Sequence, residues 1–106
     1  MVAEAKDLED LLRRLIDVLV AIADSKDPDE RWDLIFDYSN LLLEIPDEEP
    51  TLKESTQDIL GDAARDLDEY DPRGDHGFYN DDETVLRHVL KALAAIAREA
   101  LDRPWG

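Results

Sequence analysis

"LEDLLRRLIDVLVAI", residues 8–22, decides the fold. Leu8, Leu11, Leu12, Leu15, Ile16, Leu19 and Ile22 recur at spacings of three and four. That period matches the turn of an α-helix, so one side is apolar and must be buried against other elements. It predicts a helix over 3–24, and the rest of the chain supplies its partners. "SKDPDE" breaks the pattern and starts a second helix: Asp27 is a good N-cap, Pro28 suits the first turn and Glu30 completes a capping box. This helix is expected over 28–44, with Trp32, Ile35, Phe36, Leu42 and Leu43 as its apolar stripe and Trp32 in the core. Pro46 and Pro50 end it. Thr51 with Glu54 reads as a second capping box, opening a helix over 52–70 that buries Leu52, Ile59, Leu60, Ala63, Leu67 and Tyr70. "DPRGDHGFYN", 71–80, is the longest loop, broken by Pro72, Gly74 and Gly77. Asn80 with Glu83 reads as a third capping box. The last helix is expected over 81–103, with Val85, Leu86, Val89, Leu90, Leu93, Ile96, Ala97 and Leu101 facing in. No strand-like alternation or internal repeat is present. The expectation is an all-α, single-domain antiparallel four-helix bundle over 1–106.

The charge is the second feature. The net charge is −16, and it is unevenly spread. Residues 1–45 carry 12 acids and 5 bases, residues 46–83 carry 14 and 3, and residues 84–106 carry 2 and 4. Such a balance repels nucleic acid and anionic lipid and draws basic partners over long range. No apolar run approaches the length of a membrane span. The absence of cysteine excludes disulfides and thiolate metal sites and suits a reducing compartment. The acidic start "MVAEAKDLED" lacks the pattern of a signal peptide, so a cytoplasmic location is expected.

Motifs for catalysis are missing. There is no P-loop, GxSxG or HExxH, so no catalytic residue, cofactor or small-molecule substrate is expected. His88 reads as a solvated histidine on the polar edge of the last helix, and His76 lies in the loop. A calcium loop starting at Asp71 fails in register, because Arg73 and His76 fall where a ligand and a glycine belong. No metal site is expected. "RGD" at 73–75 is a three-residue match without a secretory context. Phe78 and Tyr79 either plug the open end of the bundle or stand out as interface anchors.

Between Asp66 and Glu83, eight of eighteen residues are carboxylates. On the third helix Glu54, Asp58, Asp62 and Asp66 lie four apart and form one slanting stripe, placed opposite Ile59, Ala63 and Leu67 and interrupted only by Arg65. Each like-charged i,i+4 pair costs about 0.2–0.5 kcal/mol. A solvated face serves solubility, but mixed charges serve it at lower cost. A stripe of one sign leading into an acidic loop therefore reads as a surface for a basic partner. Its candidate residues are Asp58, Asp62, Asp66, Asp68, Glu69, Asp71, Asp75, Tyr79, Asp81 and Asp82.

"AARDLDEYDP", 63–72, followed by "FYNDDETVLRHVL", 78–90, resembles the second half of the colicin D immunity protein family. Ala63, Ala64, Asp71, Pro72, Tyr79, Asp81 and Asp82 occupy the matching places, over about 40 residues. The resemblance implies a small four-helix bundle that binds a cognate basic nuclease toxin, of the kind that cuts tRNA. Carboxylates would sit where substrate phosphates belong, and related proteins guard against toxins of contact-dependent inhibition systems. The residues alone reach an acidic helical binder of a basic partner, which leaves open a nucleic-acid mimic or adaptor module for another basic protein. A small enzyme or metal binder using the Asp-rich loop is the third reading.

Overall fold

The computed structural model describes residues 2–48, 51–70 and 81–101, with the backbone alone over 2–7. Four helices account for most of them: α1 (Val2–Asp24), α2 (Pro28–Leu42), α3 (Glu54–Asp68) and α4 (Asp82–Leu101). No strand occurs among the described residues. Helix α1 packs on α2 and α4, and α3 packs on the same two neighbours. The chain thus runs up and down around a square, as the expected antiparallel four-helix bundle.

The core follows the period of α1. Leu8, Leu11, Leu12, Leu15, Leu19 and Ile22 are buried and meet Ile35 and Tyr38 of α2, Leu60, Ala63 and Leu67 of α3, and Val85, Val89, Ala92 and Ile96 of α4. Burying each large aliphatic side chain contributes roughly 1.5–3 kcal/mol, which drives assembly. Two buried side chains pin the packing. The Tyr38 hydroxyl donates to the Leu60 carbonyl at 2.8 Å, tying α2 to α3. The Lys53 N–H donates to Oε1 of the buried Glu99 at 2.7 Å, tying the start of α3 to α4.

Several expectations are corrected. Trp32 and Phe36 are 43% and 65% exposed, because α2 turns a different seam inward: Arg31, Ile35 and Tyr38 are buried and Leu42 packs against them. Ile35 and Leu42 of the expected stripe lie on that seam, while Trp32, Phe36 and Leu43 each stand one residue past it. Ile16, Leu43, Ile59, Leu86, Leu90 and Leu101 are also exposed, and so is Ala97, since each helix has more apolar positions than its inner face holds. Thr51 does not cap α3. It is buried, its hydroxyl donates to the Pro46 carbonyl, and the N-cap is Lys53, whose side chain makes no capping bond. Asp27 caps α2 as expected, accepting from the Asp29 N–H at 3.0 Å.

Gly61 lies inside α3, and a Cβ there would meet nothing within 4 Å. Gly61→Ala should stabilise the fold by about 0.5–1 kcal/mol in urea denaturation, by helix propensity alone. Burial pushes the Tyr38 phenol well above its ordinary pKa of 10.0. Above that pH the unfolded chain gives up a proton that the folded chain keeps, so stability falls as pH rises. Tyr38→Phe should cost about 1 kcal/mol near neutrality and flatten this alkaline loss, as read by denaturation at a series of pH values.

Candidate functional site

In an antiparallel bundle the α1–α2 and α3–α4 connections leave from the same end. Here that end is joined by Arg31, which is 5% exposed. Its Nε donates to the Ile22 carbonyl at 3.2 Å and one terminal nitrogen donates to the Ser25 carbonyl, both at the end of α1. The other terminal nitrogen donates to Asp82 Oδ1 at 2.6 Å, at the start of α4. The guanidinium also lies 5.5 Å from the ring centre of Tyr70, just past the end of α3. Burial works against the charge, but the bonds to Asp82 and Tyr70 outweigh it, so the pKa stays raised. One planar, five-donor group thus gathers the ends of all four helices.

Around this base the surface is acidic. Asp24 ends α1, and Asp27, Asp29 and Glu30 open α2. Asp66, Asp68 and Glu69 close α3, and Asp81, Asp82 and Glu83 open α4. All are exposed except Asp66, which is half-buried. Sequence reasoning singled out Asp66, Asp68, Glu69, Asp81 and Asp82 and read Glu83 as part of a cap; it did not single out the first group, having read 24–30 only as a cap. The signal was available in the topology, which brings the first connection to the same end as the third.

The stripe on α3 does not stay on one face. Each step of four residues advances about 40° beyond a full turn, so the row winds toward α4. Asp58 is exposed, while Asp62 and Asp66 line a cleft between α3 and α4 with Ile59, Arg65, His88 and Lys91. Ile59 therefore lies beside the stripe, not opposite it. His88 is half-buried, not solvated, with Nδ1 3.5 Å from Asp66 Oδ2. Lys91 joins Arg65 in moderating this row.

Asp81 and Asp82 have structural work. Asp81 caps α4: its Oδ2 accepts from the Thr84 hydroxyl at 2.7 Å and the Thr84 N–H at 2.8 Å. These bonds, the hydroxyl first, hold its carboxyl below the usual range. Asp82 holds Arg31 while 86% of its side chain stays exposed. Asp71, Asp75 and Tyr79 lie outside the described residues, as does the Asn80 side of the expected capping box.

Among the described residues, no group of three or more His, Asp or Glu side chains is placed to hold a metal ion. No described helix is long and apolar enough to cross a membrane. No family model matches the chain, and neither does a curated protein or a solved structure.

Removing Arg31 leaves two helix-end carbonyls without their donors. Arg31→Met should lower stability by about 2–4 kcal/mol in denaturant unfolding, from the cost of two unsatisfied acceptors. Arg31→Lys should recover only part of this, since an ammonium cannot span the same fork. Asp82→Asn, whose side chain stays mostly in water, should cost far less.

Proposed function

We propose that the chain is a binding protein for a basic protein partner, engaged through the acidic pole around Arg31. Against the colicin D immunity resemblance of residues 63–90, the partner is a nuclease toxin, of the tRNA-cutting kind, and the carboxylates occupy the groove that holds substrate phosphates. The observation that carries the reading is the last turn of α3. Asp66, Asp68 and Glu69 sit at a helix C-terminus, where the dipole favours cations, and beside the acids that open α4. Asp68 and Glu69, like charges placed against both the dipole and one another, do not serve folding, whereas Asp66 lies beside His88. They do serve association, because a focused negative field speeds encounter with a basic groove and selects for it.

Asp62, Asp68 and Glu69 are the side chains most directly presented, with the half-buried Asp66 beside them, joined by Asp29 and Glu30 from α2 at the same end. Asp81 and Asp82 combine a structural bond with exposure to the partner. Asp58 lies farther along α3 and contributes to the field at its edge. In this reading the protein carries out no reaction and inhibits by occupying the groove.

The test is co-purification with the product of the neighbouring gene, followed by binding and nuclease assays on purified pairs. Reversing Asp66, Asp68 and Glu69 to lysine should leave the helical circular dichroism signal intact and weaken binding. The loss should be about 2–5 kcal/mol for any charge desolvated in the interface, and slower association for those at its rim. The same reversal at Asp10 and Asp17 on α1 is the control. Equal losses from both sets would mean that bulk charge does the steering and would remove the pole as a site. Binding to a basic protein without nuclease activity would keep the pole and replace the toxin by the adaptor reading.

A further inference from the structure

The flank between α1 and α2 carries a groove with an apolar floor. The floor is Val18 and Ala21 of α1 with Leu34 and Leu41 of α2, all half-buried. Val18, Leu34 and Leu41 pack against the core with one side and meet solvent with the other. Ala21, the smallest of the four, leaves room above it for a larger side chain. The groove continues past Arg14 and Glu44 toward Leu8 and Leu11, with Asp10 and Pro46 at its edge.

The walls are acidic on both sides. Asp10 and Asp17 stand on the α1 wall, and Asp37 and Glu44 on the α2 wall, each pair seven residues apart. Seven residues are two turns and about 10 Å, so each pair keeps to one side of its helix. Leu34 and Leu41 share the spacing. Among the described residues, Arg14 is the one base on either wall, and it is already engaged: its terminal nitrogens donate to the Glu44 carboxylate at 3.1 and 3.3 Å. Asp10, Asp17 and Asp37 are exposed, and none of them is in an ion pair among the described residues. The cleft between α3 and α4 is built differently, for there Asp62 and Asp66 share the walls with Arg65, His88 and Lys91. Acids on both walls of an apolar floor are thus a feature of this groove and not of every groove on an acidic chain.

We propose that the α1–α2 groove is a docking site for one amphipathic helix of a partner protein, with an apolar row flanked on both edges by Lys or Arg. Apolar side chains at spacings of three and four reach the floor in the manner of a helix laid in a groove. Bases seven residues apart on each edge rise by the same two turns as the acids of the walls and fall opposite them. A helix with acidic edges is repelled, and one with uncharged edges leaves the wall acids facing groups that cannot pair with them. In the square of helices the α1–α2 seam lies across from the α3–α4 seam, so docking here is independent of the nuclease reading.

Fluorescence anisotropy of a labelled synthetic peptide, titrated with the purified full chain at moderate salt, reads the docking directly. The peptide is a helix of about five turns with a leucine row and lysines along both edges. A second peptide has the same composition in scrambled order, which keeps the charge and removes the row. A third carries glutamate in place of lysine. The first should bind one to a chain, the scrambled peptide about tenfold or more weakly because the floor stays in water, and the third not at all. Asp17→Lys with Asp37→Lys should weaken the first peptide about tenfold or more, by placing cations against its edges. Glu48→Lys with Glu54→Lys makes the same change of charge at exposed positions outside the groove and should cost far less. Ala21→Gln fills the floor without changing the charge and should also weaken binding, with the helical dichroism signal of each variant checked beside the wild type. Scrambled and ordered peptides that bind alike would overturn the proposal, as would equal losses from the two pairs of reversals, since net charge alone would then do the attracting. Unchanged binding to Ala21→Gln would overturn it as well. None of these variants alters the acids that close α3, so failure here leaves the pole untouched.

Discussion

Arg31 is the constraint on which the acidic end of this bundle depends. The last carbonyls of a helix have no partner within it, and α1 has no basic residue in its own last turn. Arg31, contributed by α2, supplies both the missing donors, to Ile22 and Ser25, and the positive charge that suits a helix C-terminus. The same group holds Asp82 and lies against Tyr70, so the start of α4 and the end of α3 are fixed by it as well. The opposite end is closed in a similar way. Helix α3 starts without a side-chain cap, and the buried Glu99 of α4 accepts the Lys53 N–H there. Each end of the bundle is closed by one buried polar side chain from a neighbouring helix.

This arrangement explains how the fold tolerates its surface charge. Acids in the first turns of α2 and α4 are favoured by the dipole, and Asp27 and Asp81 act as caps. Asp68 and Glu69, which close α3, have no such benefit. They are held by the hydrophobic contacts of Leu60, Ala63 and Leu67 and by the bridge at Arg31, which together exceed a repulsion of a few tenths of a kcal/mol per pair. Stability is thus concentrated in the core and at two buried polar side chains, Arg31 and Glu99.

The parts of this architecture that are local in sequence were legible from it. The period of α1, the caps at Asp27 and Pro28 and the proline break after Ile45 follow from single-helix chemistry, and they place the helices to within two or three residues. The parts that arise between helices were not. Nothing in the spacing of α2 says that Arg31 and Tyr38 face inward in place of Trp32 and Phe36. A polar side chain can occupy a core seam only if a neighbour offers partners, and here those are carbonyls of α1 and α3. The candidate site divides in the same way. The acids of α3 were visible as a stripe, but their meeting with Asp24, Asp29 and Glu30 depends on topology. The contact between Asp66 and His88 depends on how far the stripe winds toward α4.

The claim that joins fold to function is that the carboxylates ending α3 oppose folding and are present for a partner. Thermal unfolding of the Asp68→Asn, Glu69→Gln double variant tests it most directly, run beside the wild-type chain from low to high salt. The variant should melt higher than the wild type at low salt, and the gap should close as salt screens the repulsion. A variant that melts at the same temperature or lower at low salt would contradict the claim, because those acids would then belong to the fold.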